Sequence, residues 1–169
     1  YPNVIRGILN TLGIGVIGGA LAVVCYTAIA LSIHRWQSGW TRVVDYLAMA
    51  PRAMPGLIAG LAMLWVFLFF KPLSPLKATL FSVWLAYTIV WLAYGMRLIS
   101  GTLLQVGPEL EESARTIGAT PLRTQLDVTV PLIRYGFIAS WLLIFLIFVR
   151  EYSTGVYLLG PGTEVIGSL

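Results

Sequence analysis

The sequence predicts an all-α, polytopic transmembrane helical bundle. Hydrophobic residues make up 58% of the chain and charged residues only 11%, where a soluble domain carries about 25% charge. Mean hydropathy is +0.85, so there is too little polar surface to cover a sphere in water. Four apolar stretches reach or approach the roughly 20 residues that a spanning helix needs. Backbone groups in lipid must be satisfied within the segment, which makes helices the only sensible form at these lengths.

The first span is Leu12–Ile33, free of charge throughout. Gly13, Gly15, Gly18, Gly19, Ala20 and Ala22 cluster in it, and Gly15 with Gly19 forms a GxxxG that permits close helix contact. Cys25 in this run reads as a small buried hydrophobe rather than a reactive thiol. The second span runs from Pro55 to Phe70, with MAPRAMPG ahead of it as an extension toward the interface. The third, Ala78–Ile99, carries Trp84, Tyr87, Trp91 and Tyr94, which suit core or interfacial positions. The fourth is Tyr135–Val149, with Pro131 as a first-turn residue. Of the connectors, 34–52 contains VVDYLAMA, a short helix near the membrane face, and KPLSPLK (71–77) is a tight turn. The chain opens at Tyr1 without Met and closes on EVIGSL, with Pro161-Gly162 as a turn before it. It reads as a fragment with about four complete spans plus the start of another.

One Cys and one His exclude a disulfide framework or a Cys/His metal site within the chain. The net charge of +4 reads as membrane orientation rather than a nucleic-acid footprint. If the 107–131 loop faces the cytoplasm, seven basic residues lie inside: Arg35, Arg42, Arg52, Arg97, Arg115, Arg123 and Arg134. Four lie outside: Arg6, Lys71, Lys77 and Arg150. The split accounts for all eleven and favours this orientation.

The loop itself is unusual, since Glu109, Glu111 and Glu112 are three of only seven acids in the chain. Gly107 can cap a helix that opens on Pro108, a favoured first residue, and the three carboxylates then sit near the positive end of the dipole. Leu110, Ala114 and Ile117 form one apolar stripe. Gly118 stops the helix, and Thr120 with Pro121 starts a second, with Leu122 and Leu126 one turn apart. Two short helices broken at Gly118 present a shaped surface, which a passive linker would not need.

Glu112-Ser113-Ala114, three residues, Gly118, nine residues and then Val128-x-Val130-Pro131 resembles the EAA signature of membrane subunits of binding-protein-dependent ABC importers. The family pattern is EAA, three residues, G, nine residues and I-x-L-P; Ser replaces the middle Ala here, and Val replaces Ile and Leu. The resemblance covers essentially the whole chain and implies a permease of the type I importer kind, with 1–169 a partial transmembrane domain and 107–131 its cytoplasmic coupling loop. It implies that the loop docks in a cleft of an ABC ATPase subunit. Glu112 would contact that subunit, Ala114 would keep the helix surface low, and Gly118 would permit the turn. Pro121, Leu122 and Arg123 would lie on or beside the docking helix, with Glu111, Ser113, Ala119 and Pro131 completing the coupling set. An extracytoplasmic solute-binding protein, a second permease copy or half, and membrane lipid are the other implied partners. No G-x-x-x-x-G-K-[ST] loop is present, so no catalytic residue or cofactor is expected in this chain, and ATP-Mg belongs on the partner ATPase.

Residues 52–65 and 150–169 look most similar to the ferric-iron branch, whose relatives carry polyamines, thiamine, phosphonates, sulfate or molybdate. No cluster of His, Cys or carboxylates suggests tight iron binding here, and the solute-binding protein normally selects the ion. Glu151, Tyr152 and Glu164 are candidates for substrate or partner contact on the outer side. A secondary transporter would be expected to carry a mid-span relay of ionisable residues, and the four spans show none. The implied location is the bacterial or archaeal cytoplasmic (inner) membrane.

Overall fold

The computed structural model describes residues 1–35 and 38–169; Trp36 and Gln37, part of the predicted 34–52 connector, lie outside the described residues. These form seven helices: α1 (Pro2–Arg35), α2 (Gly39–Met49), α3 (Gly56–Phe69), α4 (Leu80–Val90), α5 (Leu92–Leu103), α6 (Pro108–Thr116) and α7 (Pro121–Arg150). No strand occurs among the described residues. Among the described residues, only α1 and α7 are single helices long and apolar enough to cross a membrane; α2 with α3, and α4 with α5, pass together as bent pairs.

α1 begins ten residues before the predicted span and runs for 34, about 51 Å at the helical rise. Its glycine-rich stretch holds a π turn over Ile14–Gly18. There the widened backbone exposes carbonyls: Trp141 donates to Val16 at 3.0 Å and Trp84 to Gly18 at 2.8 Å. The GxxxG works as the pattern suggests. A Cβ on Gly15 would lie 2.9 Å from Phe145, and one on Gly19 would meet the Phe145 backbone, so α7 is seated in this groove. Cys25 departs from expectation: it lies exposed on the outer face of α1, alongside Leu21 and Val24, because the buried stripe runs through Ala22, Val23 and Tyr26.

The proposed extension of the second span does not form. Pro51 starts a 3-10 turn over Ala50–Ala53, Met54 is extended as a residue before proline should be, and α3 leaves at 115° to α2. Two prolines within five residues remove the amides a continuous helix would use. VVDYLAMA is helical as read, in α2 up to Met49, with its last residue, Ala50, opening the 3-10 turn.

The third span also differs. Ala78 has a positive φ of 58°, and α4 starts only at Leu80, with the Thr79 hydroxyl accepting from the Ser82 N–H. The helix then bends by 60° at Trp91 and continues to Leu103, which places Arg97 inside α5 rather than near a span end. Tyr26 supports the bend: its ring fills the space over Gly95, where a Cβ would come within 2.0 Å, and its hydroxyl donates to the Thr88 carbonyl at 2.7 Å. Tyr87 is buried, and Trp84, Trp91 and Tyr94 pack against the same core. Tyr26, Phe67, Ile99, Ile144 and Phe148 form its centre.

α7 starts at Pro121, well before the predicted Tyr135. The true first-turn proline is therefore Pro121, while Pro131 sits within the helix at the exit of a second π turn over Gln125–Thr129, which accommodates its missing N–H. After Arg150 the chain returns as turns, touching α1 through Asn10 and Thr11. Ile166–Ser168 forms a single 3-10 turn where the start of a further span was expected.

Candidate functional site: the 107–131 loop

The loop geometry follows from its punctuation. Gly107 is extended and leads into Pro108 at the helix start, with Glu109 and Glu111 in the first turn. α6 stops at Ile117, and Gly118 adopts φ +94°, the left-handed conformation that favours glycine. Gly118 and Ala119 then return their amides to the Arg115 and Ala114 carbonyls at 3.0 and 3.1 Å, which closes the helix end. The Thr120 hydroxyl accepts from the Arg123 N–H at 3.3 Å. The second helix differs from the short one expected, since it is the first turn of α7 itself. A surface at Leu122 is thus rigidly continuous with a full span.

The loop has two faces. On the outward one, Ile117 and Leu122 are 88% and 71% exposed, flanked by exposed Leu110, Glu112 and Ser113. Ala114 is half-buried and leaves the outward stripe low. Arg123 is exposed and pairs with Asp127 at 3.2 Å; Pro131 is exposed too.

On the inward face stands Glu111, only 6% exposed. It does not share the outward surface of the other coupling candidates, because its carboxylate is turned into the bundle. Oε1 pairs with the Arg35 guanidinium at the end of α1 and accepts from the Thr129 hydroxyl at 2.8 Å. Oε2 accepts from the Gln125 amide at 3.3 Å. An anion in the first turn of α6 meets a cation in the last turn of α1, and each suits the local dipole. Arg35, Gln125 and Thr129 escaped sequence reading; the one available signal was a basic residue closing a long helix.

The other three candidates are not brought to one place. Glu151, after the last turn of α7, accepts from Trp91 Nε1 at 3.1 Å, the Ser153 hydroxyl at 2.9 Å, and the Thr154 N–H and hydroxyl at 3.1 and 3.0 Å. Arg52 lies over the face of the same Trp91 ring, 4.5 Å from its centroid. Tyr152 is exposed and packs beside Gly167. Glu164 instead sits by α1, near Arg6 at 3.8 Å. Its carboxyl is held below the ordinary range by backbone N–H groups, its own first and then that of Gly162, with Arg6 adding to them. No group of three or more His, Cys, Asp or Glu able to hold a metal occurs among the described residues.

Sequence comparison agrees with the helical frame. Residues 26–169 match the family of binding-protein-dependent transport system inner membrane components. The chain belongs to that family. The chain is 30% identical to the putrescine transport system permease protein PotI of Escherichia coli (strain K12), over 73% of this chain and 45% of that protein. It is 25% identical to the Fe(3+)-transport system permease protein FbpB 2 of Haemophilus influenzae, over 94% of this chain and 31% of the relative. A putative 2-aminoethylphosphonate transport system permease protein, PhnV of Salmonella paratyphi A, is 27% identical over 96% and 62%. The chain thus spans about a third to two thirds of these relatives' length.

Proposed function

We propose that this chain forms the translocation pathway of an ATP-driven importer in a prokaryotic cytoplasmic membrane and takes its drive from a separate ABC ATPase through the outward face of the 107–131 loop. The observation that carries the reading is that face: exposed Ile117 and Leu122, rimmed by Glu112 and Arg123, on a loop whose far side is anchored. An apolar stripe with a charged rim suits a groove on a partner. Ser113, Ala114, Gly118, Ala119 and Pro121 shape the surface, and Pro131 sits at the π-turn exit behind it. The loop is placed on the cytoplasmic side, together with Arg35, Arg42, Arg115, Arg123 and Arg134. ATP closure of the partner moves the loop, and the bundle shifts between two arrangements. A solute-binding protein and a second permease copy or half complete the assembly.

For substrate we propose ferric iron, supported by the resemblance of 52–65 and 150–169 to that branch and by the alignment with the iron permease over 94% of the chain. Putrescine is the second reading, favoured by the higher identity of that relative. The test is co-purification of the full-length chain with its ATPase, before and after Glu112→Ala combined with Gly118→Pro. Loss of the ATPase in the double variant is expected. Undiminished coupling would refute the reading of the loop. Uptake of labelled ferric iron or putrescine by the assembled transporter in vesicles decides the substrate.

A further inference from the structure

We infer that Glu111 is the positioning residue that transmits loop movement to α1 and α7 together, through its contacts with Arg35 and Thr129. The inference rests on the coupling role proposed for the loop and names the part of the permease that receives the stroke. One carboxylate gathers the end of α1 (Arg35) and the π turn of α7 (Thr129, Gln125), and these are the two unbroken helices of the bundle. Thr129 is fully buried, so the carboxylate is desolvated on that side, and removing one partner leaves a buried group uncompensated. The cluster therefore moves as a unit rather than opening piecemeal. Outward-facing Glu112 is the very next residue, so any push on that face is a push on Glu111 within one rigid helical turn. The π turn holding Thr129 and Gln125 is a place where a helix can change register at low cost. Beside the cluster a cavity of about 500 Å³, lined in part by Leu31, Arg35 and Gln125, leaves space for it to shift.

The experiment uses the full-length chain assembled with its ATPase and solute-binding protein in lipid vesicles. It compares unaltered protein, Glu111→Gln, Thr129→Val and the charge exchange Arg35→Glu with Glu111→Arg. Uptake of labelled ferric iron, putrescine, sulfate or 2-aminoethylphosphonate is measured per ATP hydrolysed, and ATPase co-purification is measured in parallel. Glu111→Gln is expected to keep the ATPase bound while uptake per ATP falls about tenfold, within the span of coupling free energies. Thr129→Val, which removes one donor and no charge, is expected to lower the ratio less, and the exchange to recover part of it. A merely structural role would lower assembly and leave the ratio alone. An unchanged ratio in both Glu111→Gln and Thr129→Val would overturn the inference. So would loss of the bound ATPase in either, since Glu111 would then act on docking. Failure of the unaltered complex to bind an ATPase or take up any of the four would instead sink the functional reading beneath it.

Discussion

Glu111 and Glu151 are both carboxylates that tie several segments together at one end of the bundle, yet they do it by different means. Glu111 pairs with a cation and reaches only side chains, from α1 and α7. Glu151 has no cation within reach of its oxygens among the described residues; Trp91, Ser153 and Thr154 donate to it. Its own carbonyl accepts from Tyr87 at 2.7 Å. The tail behind it packs directly on backbone, since Gly56 and Gly60 of α3 press against Ser153 and Thr154. An ion pair and its side-chain hydrogen bonds can be carried along by the helices they join, whereas close backbone contact fixes two segments against each other. The difference suggests a loop end built to move and a tail end built to hold.

Gly60→Ala is the strongest way to break that contrast. A Cβ there would come 2.4 Å from the Thr154 carbonyl oxygen, and backbone on both sides leaves nothing to yield. A loss of about 3 kcal/mol is expected, the upper range for overpacking, read as a lower unfolding midpoint of the full-length chain in detergent. A neutral result would show the tail to be loose, and the contrast would fail. Glu151→Gln comes next. One oxygen and a donor replace two acceptors, so one of Trp91, Ser153 or Thr154 loses its partner, which costs about 2 kcal/mol. The loss should be little changed by added salt, whereas the loss from Glu111→Gln should shrink with it, because Arg35 is partly solvated.

The loop was legible in the sequence because its instructions are local. Gly107, Pro108, Gly118, Thr120 and Pro121 each act on their immediate neighbours, and each does in the structure what its chemistry suggests. The direction of Glu111 was not legible, because Arg35 is 76 positions away and only the packing of α1 on α7 brings it there. The bend at Trp91 gave no local sign either: no proline marks it, and its support comes from Tyr26 on another helix. The 115° turn before α3 differs, since Pro51 and Pro55 announced it and the apolar run around them concealed it.

Gly118→Ala tests the loop end with a smaller effect. Nothing lies within 4 Å of an added Cβ, so the whole cost is the left-handed backbone, about 1 kcal/mol for an alanine. That figure is a third of the Gly60 effect expected above, although alanine replaces glycine in both. Equal losses would mean that conformation rather than close packing governs both ends. The measurement is the unfolding midpoint of each variant beside the unaltered chain.

The smallest effect belongs to Glu164, where the tail meets α1. Its carboxyl is depressed below the ordinary 4.5, chiefly by backbone N–H groups of Glu164 and Gly162, with Arg6 at 3.8 Å assisting. A folded-state value below the unfolded one means that the ionised carboxylate stabilises the fold at neutral pH. That contribution is whole above the ordinary value and fades as pH falls through the depressed one. Glu164→Gln should therefore melt slightly below the unaltered chain at neutral pH, and the two should converge under acid. Because Asn10 also holds this turn through the Gly162 and Glu164 carbonyls at 3.1 and 2.9 Å, Asn10→Ala should lower the midpoint equally at every pH. A gap for Glu164→Gln that stayed constant with pH would assign the tail's hold on α1 to Asn10 and the backbone, with no part for the charge.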